Sequence, residues 1–143
     1  MSAARPVGLP ASAPPASLQL KCGPIGAPEL ALYAAASSDH NPLHLDEETA
    51  RAAGFERPVV HGMLTMAFAA RLFTTHFGPH ALRALETRFI GVALRGQCIV
   101  LTGTLEHVQD GLAAYRLDAH DDAGTHLLAG RATVPWPQAG ATA

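Results

Sequence analysis

The chain has 143 residues, 48% of them hydrophobic and 15% charged, with a formal net charge of −2. A chain of this length supports one domain with a full core of its own, while the charge excludes the basic face that nucleic acid requires and the polybasic cluster that binds an anionic membrane. Soluble domains typically carry roughly 25% charged residues, so the thin coat of charge reserves some surface for a subunit interface or an apolar ligand tunnel.

Residues 1–17 are rich in Ala, Pro and Ser, and Pro6, Pro10, Pro14 and Pro15 prevent a helix. They read as a flexible leader, with no apolar core of a signal peptide. The folded domain is expected over residues 18–138, followed by a loose tail at 139–143. No uncharged apolar run reaches the roughly 20 residues of a membrane span. Cys22 and Cys98 lie far apart with no CxxC pattern, which excludes a disulfide framework and fits free thiols in a reducing cytoplasm.

Weak alternation over Ser17–Cys22 predicts a first strand, and Ala27–Ser37, with Pro28 and Glu29 in its first turn, predicts a helix. Asn41-Pro42 breaks the regularity, because Pro42 pushes Asn41 out of the helical region. Asp46 is a good N-cap for a second short helix, which should stop near Gly54. Residues 58–77 form an almost continuously apolar segment ended by Gly78-Pro79, which predicts a long helix buried on all sides. From Leu82 the pattern changes to strands, over residues 85–94, 97–108, 112–119 and 126–134. Turns at Gln109-Asp110-Gly111 and Asp121-Asp122-Ala123-Gly124 separate the last three. One buried helix followed by an antiparallel meander implies an α+β architecture with the sheet wrapped around the helix.

Chemistry is densest at Ser37-Ser38-Asp39-His40-Asn41-Pro42-Leu43-His44. In a continuous helix Asp39 and His44 would lie about 140° apart. The Asn-Pro break removes that constraint and lets a turn bring carboxylate and imidazole together. Such a pair can hold a water and take its proton, with Asn41 tying the turn. On pattern alone, Asp39 also fits an ordinary Asx-turn residue and His44 a satisfied structural histidine. The second feature, Glu56-Arg57-Pro58-Val59-Val60-His61-Gly62-Met63-Leu64, opens the long helix without a Ser, Thr, Asp or Asn cap. Gly62 has no side chain to block its N–H, and unpaired N–H groups at a helix start stabilise negative charge on oxygen. A plain helix start with Gly for packing is the alternative.

Tyr33, Ser37, Asp39, Asn41, Pro42, Leu43, His44 and Ala50, together with the run from Phe55 to Met66, resemble the MaoC-like, (R)-specific enoyl-CoA hydratase family. The resemblance extends more weakly through Arg88-Phe89 and Gly96 to Ala132. It is also close to small dehydratase subunits that act on 3-hydroxyacyl thioesters. It implies a hot-dog fold, a long central helix wrapped by a curved antiparallel sheet, paired edge to edge in a homodimer. It implies that Asp39 and His44 activate the water that adds to a trans-2-enoyl thioester, and that the Gly62 N–H binds the thioester carbonyl. Asn41 and Ser37 would support the loop, and His61 would shape the oxyanion turn rather than transfer protons. Val60, Met63, Leu64 and Ala67 would line an acyl tunnel. The substrate brings its own CoA or acyl-carrier-protein handle, so neither an organic cofactor nor a metal is implied.

Two departures from the family pattern stand out. Ser38 replaces a Gly before the Asp, which is strained if φ is positive there, and Val92 and Gly96-Gln97 stand where a Pro and a Gly-Asp or Gly-Glu are usual. A hot-dog thioesterase is the enzymatic rival, but residues 58–77 contain no Asp or Glu to serve it. A degenerate non-catalytic subunit would have lost Asp39 or His44. A metal module would need HExxH or a Cys/His cluster, and the remaining histidines are scattered.

Overall fold

The computed structural model describes residues 13–137. The tail expected at 139–143, and the leader except for residues 13–17, lie outside the described residues. In chain order the elements are strand β1 (Ser17–Cys22), helix α1 (Ala27–Ser37), a 3-10 turn (Pro42–His44), helix α2 (Glu47–Ala52), helix α3 (Gly62–Phe77) and strands β2 (Ala84–Phe89), β3 (Ile99–Gln109), β4 (Leu112–Asp121) and β5 (His126–Pro135). The five strands form one antiparallel sheet in the order β1-β3-β4-β5-β2. Helix α3 lies against all five, the hot-dog arrangement that the resemblance implies.

Local chemistry accounts for most element ends. Glu29 Oε2 accepts from the Gly26 N–H at 2.8 Å and secures the start of α1. The Asp46 carboxylate accepts from the Thr49 N–H at 2.8 Å and caps α2. Asp110 and Gly111 both have positive φ, 54° and 75°, which turns β3 back into β4 with the twist a hairpin needs. Between α3 and the sheet, Leu72, Phe73, Ile99, Leu101, Tyr115, Leu117 and Leu128 are fully buried, each burial being worth roughly 1.5–3 kcal/mol.

Three sequence expectations need correction. Helix α3 starts at Gly62 rather than at Pro58, and β2 stops at Phe89 rather than running to Leu94. One cause explains both: residues 58–60 stay extended and pair with residues 93–95. The Val60 N–H donates to the Ala93 carbonyl at 2.8 Å, and the Arg95 N–H donates to the Pro58 carbonyl at 2.8 Å. Third, α3 is buried on the sheet-facing side, through Leu64, Thr65, Ala69, Leu72 and Phe73, whereas Met63 on the opposite side is 55% exposed.

Gly130 of β5 pairs with Thr87 of β2. A Cβ built there would meet the Glu86 carbonyl oxygen at 2.0 Å, and a paired backbone cannot yield as a flexible side chain does. Gly130→Ala is therefore expected to lower stability by about 1–3 kcal/mol, the usual cost of overpacking, read as a clear fall in thermal midpoint by circular dichroism.

Candidate functional site

The site begins where α1 ends. Ser38 takes the left-handed conformation (φ 62°, ψ 17°) that the family's Gly would adopt without strain. The chain then folds on itself through short side-chain bonds. The Ser37 hydroxyl donates to the Tyr33 carbonyl at 2.7 Å, and its oxygen accepts from the Asp39 N–H at 3.2 Å. Asp39 Oδ1 accepts from the Asn41 N–H at 3.2 Å, and Asn41 Oδ1 accepts from the Leu43 N–H at 3.0 Å. This run places His44 at the end of the 3-10 turn.

His44 is then held from the opposite side. Its Nδ1 lies 2.8 Å from the Val59 carbonyl. A carbonyl only accepts, so Nδ1 carries the hydrogen and Nε2 keeps a lone pair. That Nε2 lies 3.6 Å from Asp39 Oδ2. The separation is too long for a direct hydrogen bond and suits a water shared between the two groups. The Asp39 side chain is 49% exposed and that of His44 13% exposed, so the pair faces solvent from a wall of protein.

His61 is buried behind them and caps α3 by position only, with no side-chain cap bond. Its Nε2–H donates to the Asp39 carbonyl at 3.1 Å, and its ring stacks on His44 at 3.8 Å. Burial is the main cause that pushes its pKa below the ordinary histidine value, with the neighbouring His44 adding to the fall. The next two N–H groups, of Gly62 and Met63, donate to no carbonyl among the described residues. They lie at the positive end of a 16-residue helix. Gly62, His44, Val60 and Thr65 line a cavity of about 200 Å³, walled further by Phe89, Val92, Ala93 and Leu127.

The structure thus brings Asp39, His44 and His61 together with Gly62, and Ser37 and Asn41 tie the loop that carries them. Of the expected tunnel residues, Val60 lines this cavity. Leu64 instead lines a separate cavity beneath α1, and Met63 and Ala67 are exposed. The sequence did not single out Val59, because its contribution is a backbone carbonyl. Nor did it single out Phe89, whose ring lies 3.3 Å from where a Gly62 Cβ would stand. Thr65 had a readable signal, a hydroxyl one turn from Gly62 in an apolar run.

Asp39, His44 and His61 each offer one ligand atom, all within 4.8 Å of one another. A tetrahedral metal needs lone pairs that converge on one point. The two imidazoles are stacked within 20° of parallel, so their lone pairs run side by side, and the cluster fits a water better than an ion.

The MaoC like domain model matches residues 12–119. The peroxisomal enoyl-CoA hydratase 2 of Arabidopsis thaliana is 35% identical over 82 residues, 55% of this chain and 26% of that protein. The mitochondrial 3-hydroxyacyl-[acyl-carrier-protein] dehydratase of the same plant is 49% identical over 49 residues, 34% of this chain and 30% of that protein. The matched part of the chain therefore spans less than a third of either curated relative. Among solved structures, the (R)-hydratase from A. caviae involved in PHA biosynthesis superposes with a TM-score of 0.77 at 27% identity, over 85% of this chain and 94% of that one.

Ser38→Gly should relieve the left-handed strain and raise stability by about 0.5–1 kcal/mol, measured by urea unfolding, because the Ser38 side chain makes no hydrogen bond among the described residues.

Proposed function

The chain belongs to the MaoC-like domain family, and on that premise we propose that it catalyses the reversible hydration of trans-2-enoyl thioesters to (R)-3-hydroxyacyl thioesters. One observation carries the proposal. The Val59 carbonyl holds the hydrogen of His44 on Nδ1, leaving Nε2 as a base beside Asp39 and on the same cavity as the Gly62 N–H.

In the forward direction a water sits between Asp39 Oδ2 and His44 Nε2. As its oxygen bonds to C3, one of its protons passes to this pair. The C2=C3 electrons move toward C2 and the thioester oxygen. The Gly62 N–H, at the helix start, stabilises the charge growing on that oxygen. Return of a proton to C2 completes the addition, and dehydration runs through the same groups in reverse. The carboxylate orients and the imidazole exchanges the proton.

The names of the relatives support both a CoA and an acyl-carrier-protein handle, and we leave the handle at thioester. We further propose a homodimer. Among the described residues strand β2 is a sheet edge, and Phe89, Ile90 and Val92 beside it, with Met63 on α3, are large apolar side chains 45–55% exposed. Apolar surface along an open edge favours pairing with a second copy.

The test is purified protein with crotonyl-CoA, followed by loss of enoyl-thioester absorbance, with free thiol assayed in parallel and product chirality determined. Absorbance loss giving the (R) product without thiol release is expected, and thiol release would point to a thioesterase. Asp39→Asn and His44→Asn should each retain the native circular dichroism spectrum and lose roughly 10²–10⁴-fold in turnover. Turnover within a few-fold of the native protein in either variant removes that residue from the mechanism.

A further inference from the structure

His61 carries more contacts with the site than a helix cap requires. It is 1% exposed, and its ring meets residues of three other segments. One face stacks on His44, with centroids 3.8 Å apart and planes 20° from parallel. The edge of Tyr33, from α1, packs at 4.8 Å and 67°. Nε2 holds the Asp39 carbonyl at 3.1 Å, while Nδ1 is buried with no hydrogen-bond partner among the described residues.

A buried ring nitrogen without a partner costs stability, and a residue serving only to fill space would do better as an aromatic hydrocarbon. Phe would keep the stack on His44 and remove the orphaned nitrogen. What Phe cannot do is donate to the Asp39 carbonyl. The geometry points to His61 as a positioning residue that orients the reacting pair from beneath: its ring is the platform on which the His44 imidazole lies, and its N–H tethers the loop carrying Asp39. This rests on the hydratase reading of Asp39 and His44 and deepens it.

The arrangement also constrains charge. The groups facing His61 are His44 from the 3-10 turn, Asp39 from the loop after α1 and Tyr33 from α1; the neighbouring side chains of α3, Leu64 and Thr65, do not titrate. When His44 takes a proton, a second cation stacked on it would oppose the step, so the platform has to stay neutral. Burial holds it there.

Two variants separate the platform from the tether. His61→Phe keeps a flat ring under His44 and loses the N–H; His61→Leu keeps bulk and loses both. His61→Leu is expected to lower kcat by up to about 10²-fold, the scale of a misplaced reacting group, with KM nearly unchanged. His61→Phe should recover part of that loss. Imidazole NMR supplies a readout that mere structural damage would not move. In the native protein His61 should stay neutral across the pH range of activity. Val59 still holds the Nδ1 hydrogen in both variants, but in His61→Leu the His44 ring signals should shift and broaden as the ring loses its platform, and in His61→Phe they should stay near their native positions. Equal kcat and unchanged His44 signals in folded His61→Leu would overturn the proposal, as would a His61 that is protonated at the pH of full activity. If the native protein turns over no enoyl thioester, the hydratase reading fails, and the His44 ring signals in the two variants still decide whether His61 positions it.

Discussion

The peptide of Val59 holds the site together. Its N–H donates to the Leu43 carbonyl at 2.9 Å, its carbonyl accepts from His44 Nδ1, and the residue forms a β-bridge with Leu94. Through these bonds one extended residue joins the 3-10 turn, the loop after β2 and the start of α3. Had the helix begun at Pro58, as the apolar run predicts, the Val59 carbonyl would have entered the helical ladder and left His44 without a partner for Nδ1. The short extended segment thus fixes the histidine tautomer, and the tautomer makes Nε2 a base.

The same segment decides where the helix dipole points. Because α3 opens only at Gly62, that residue lines the cavity that His44 also lines. A side chain at Gly62 would crowd the Phe89 ring, and a capping side chain at position 61 would compete for the N–H groups. The residue at 61 instead turns its ring under His44 and leaves the helix start open. A weak cap is the local cost of a helix end that can receive a developing oxyanion.

Charge and apolar surface are divided with equal economy. The sheet-facing side of α3 supplies the core, while its far side and the end of β2 leave Met63, Phe89, Ile90 and Val92 exposed. Exposed apolar side chains thus gather at the end of the β2 edge and the start of α3. A second copy pairing along β2 would bury them next to the site.

Much of this was legible in the sequence, where the signals are local. The limits of β1 and α1, the Asp46 cap and the hairpin turns at Asp110-Gly111 and Gly124 all follow from residues within a few positions of one another, whereas the strain at Ser38 was implied only through the family resemblance. The Asp39–His44 turn belongs with them, since Ser37, Asn41 and Pro42 dictate it by short-range bonds. What only the tertiary structure decided were the features made by segments distant in sequence: the pairing of residues 58–60 with 93–95, the His44–Val59 bond, the His61 stack and the cavity walls at Phe89, Ala93 and Leu127. Apolar pattern specifies that Val59 and Val60 are buried. It does not specify whether their backbone bonds close within a helix or across to another segment, because either choice satisfies the same side chains.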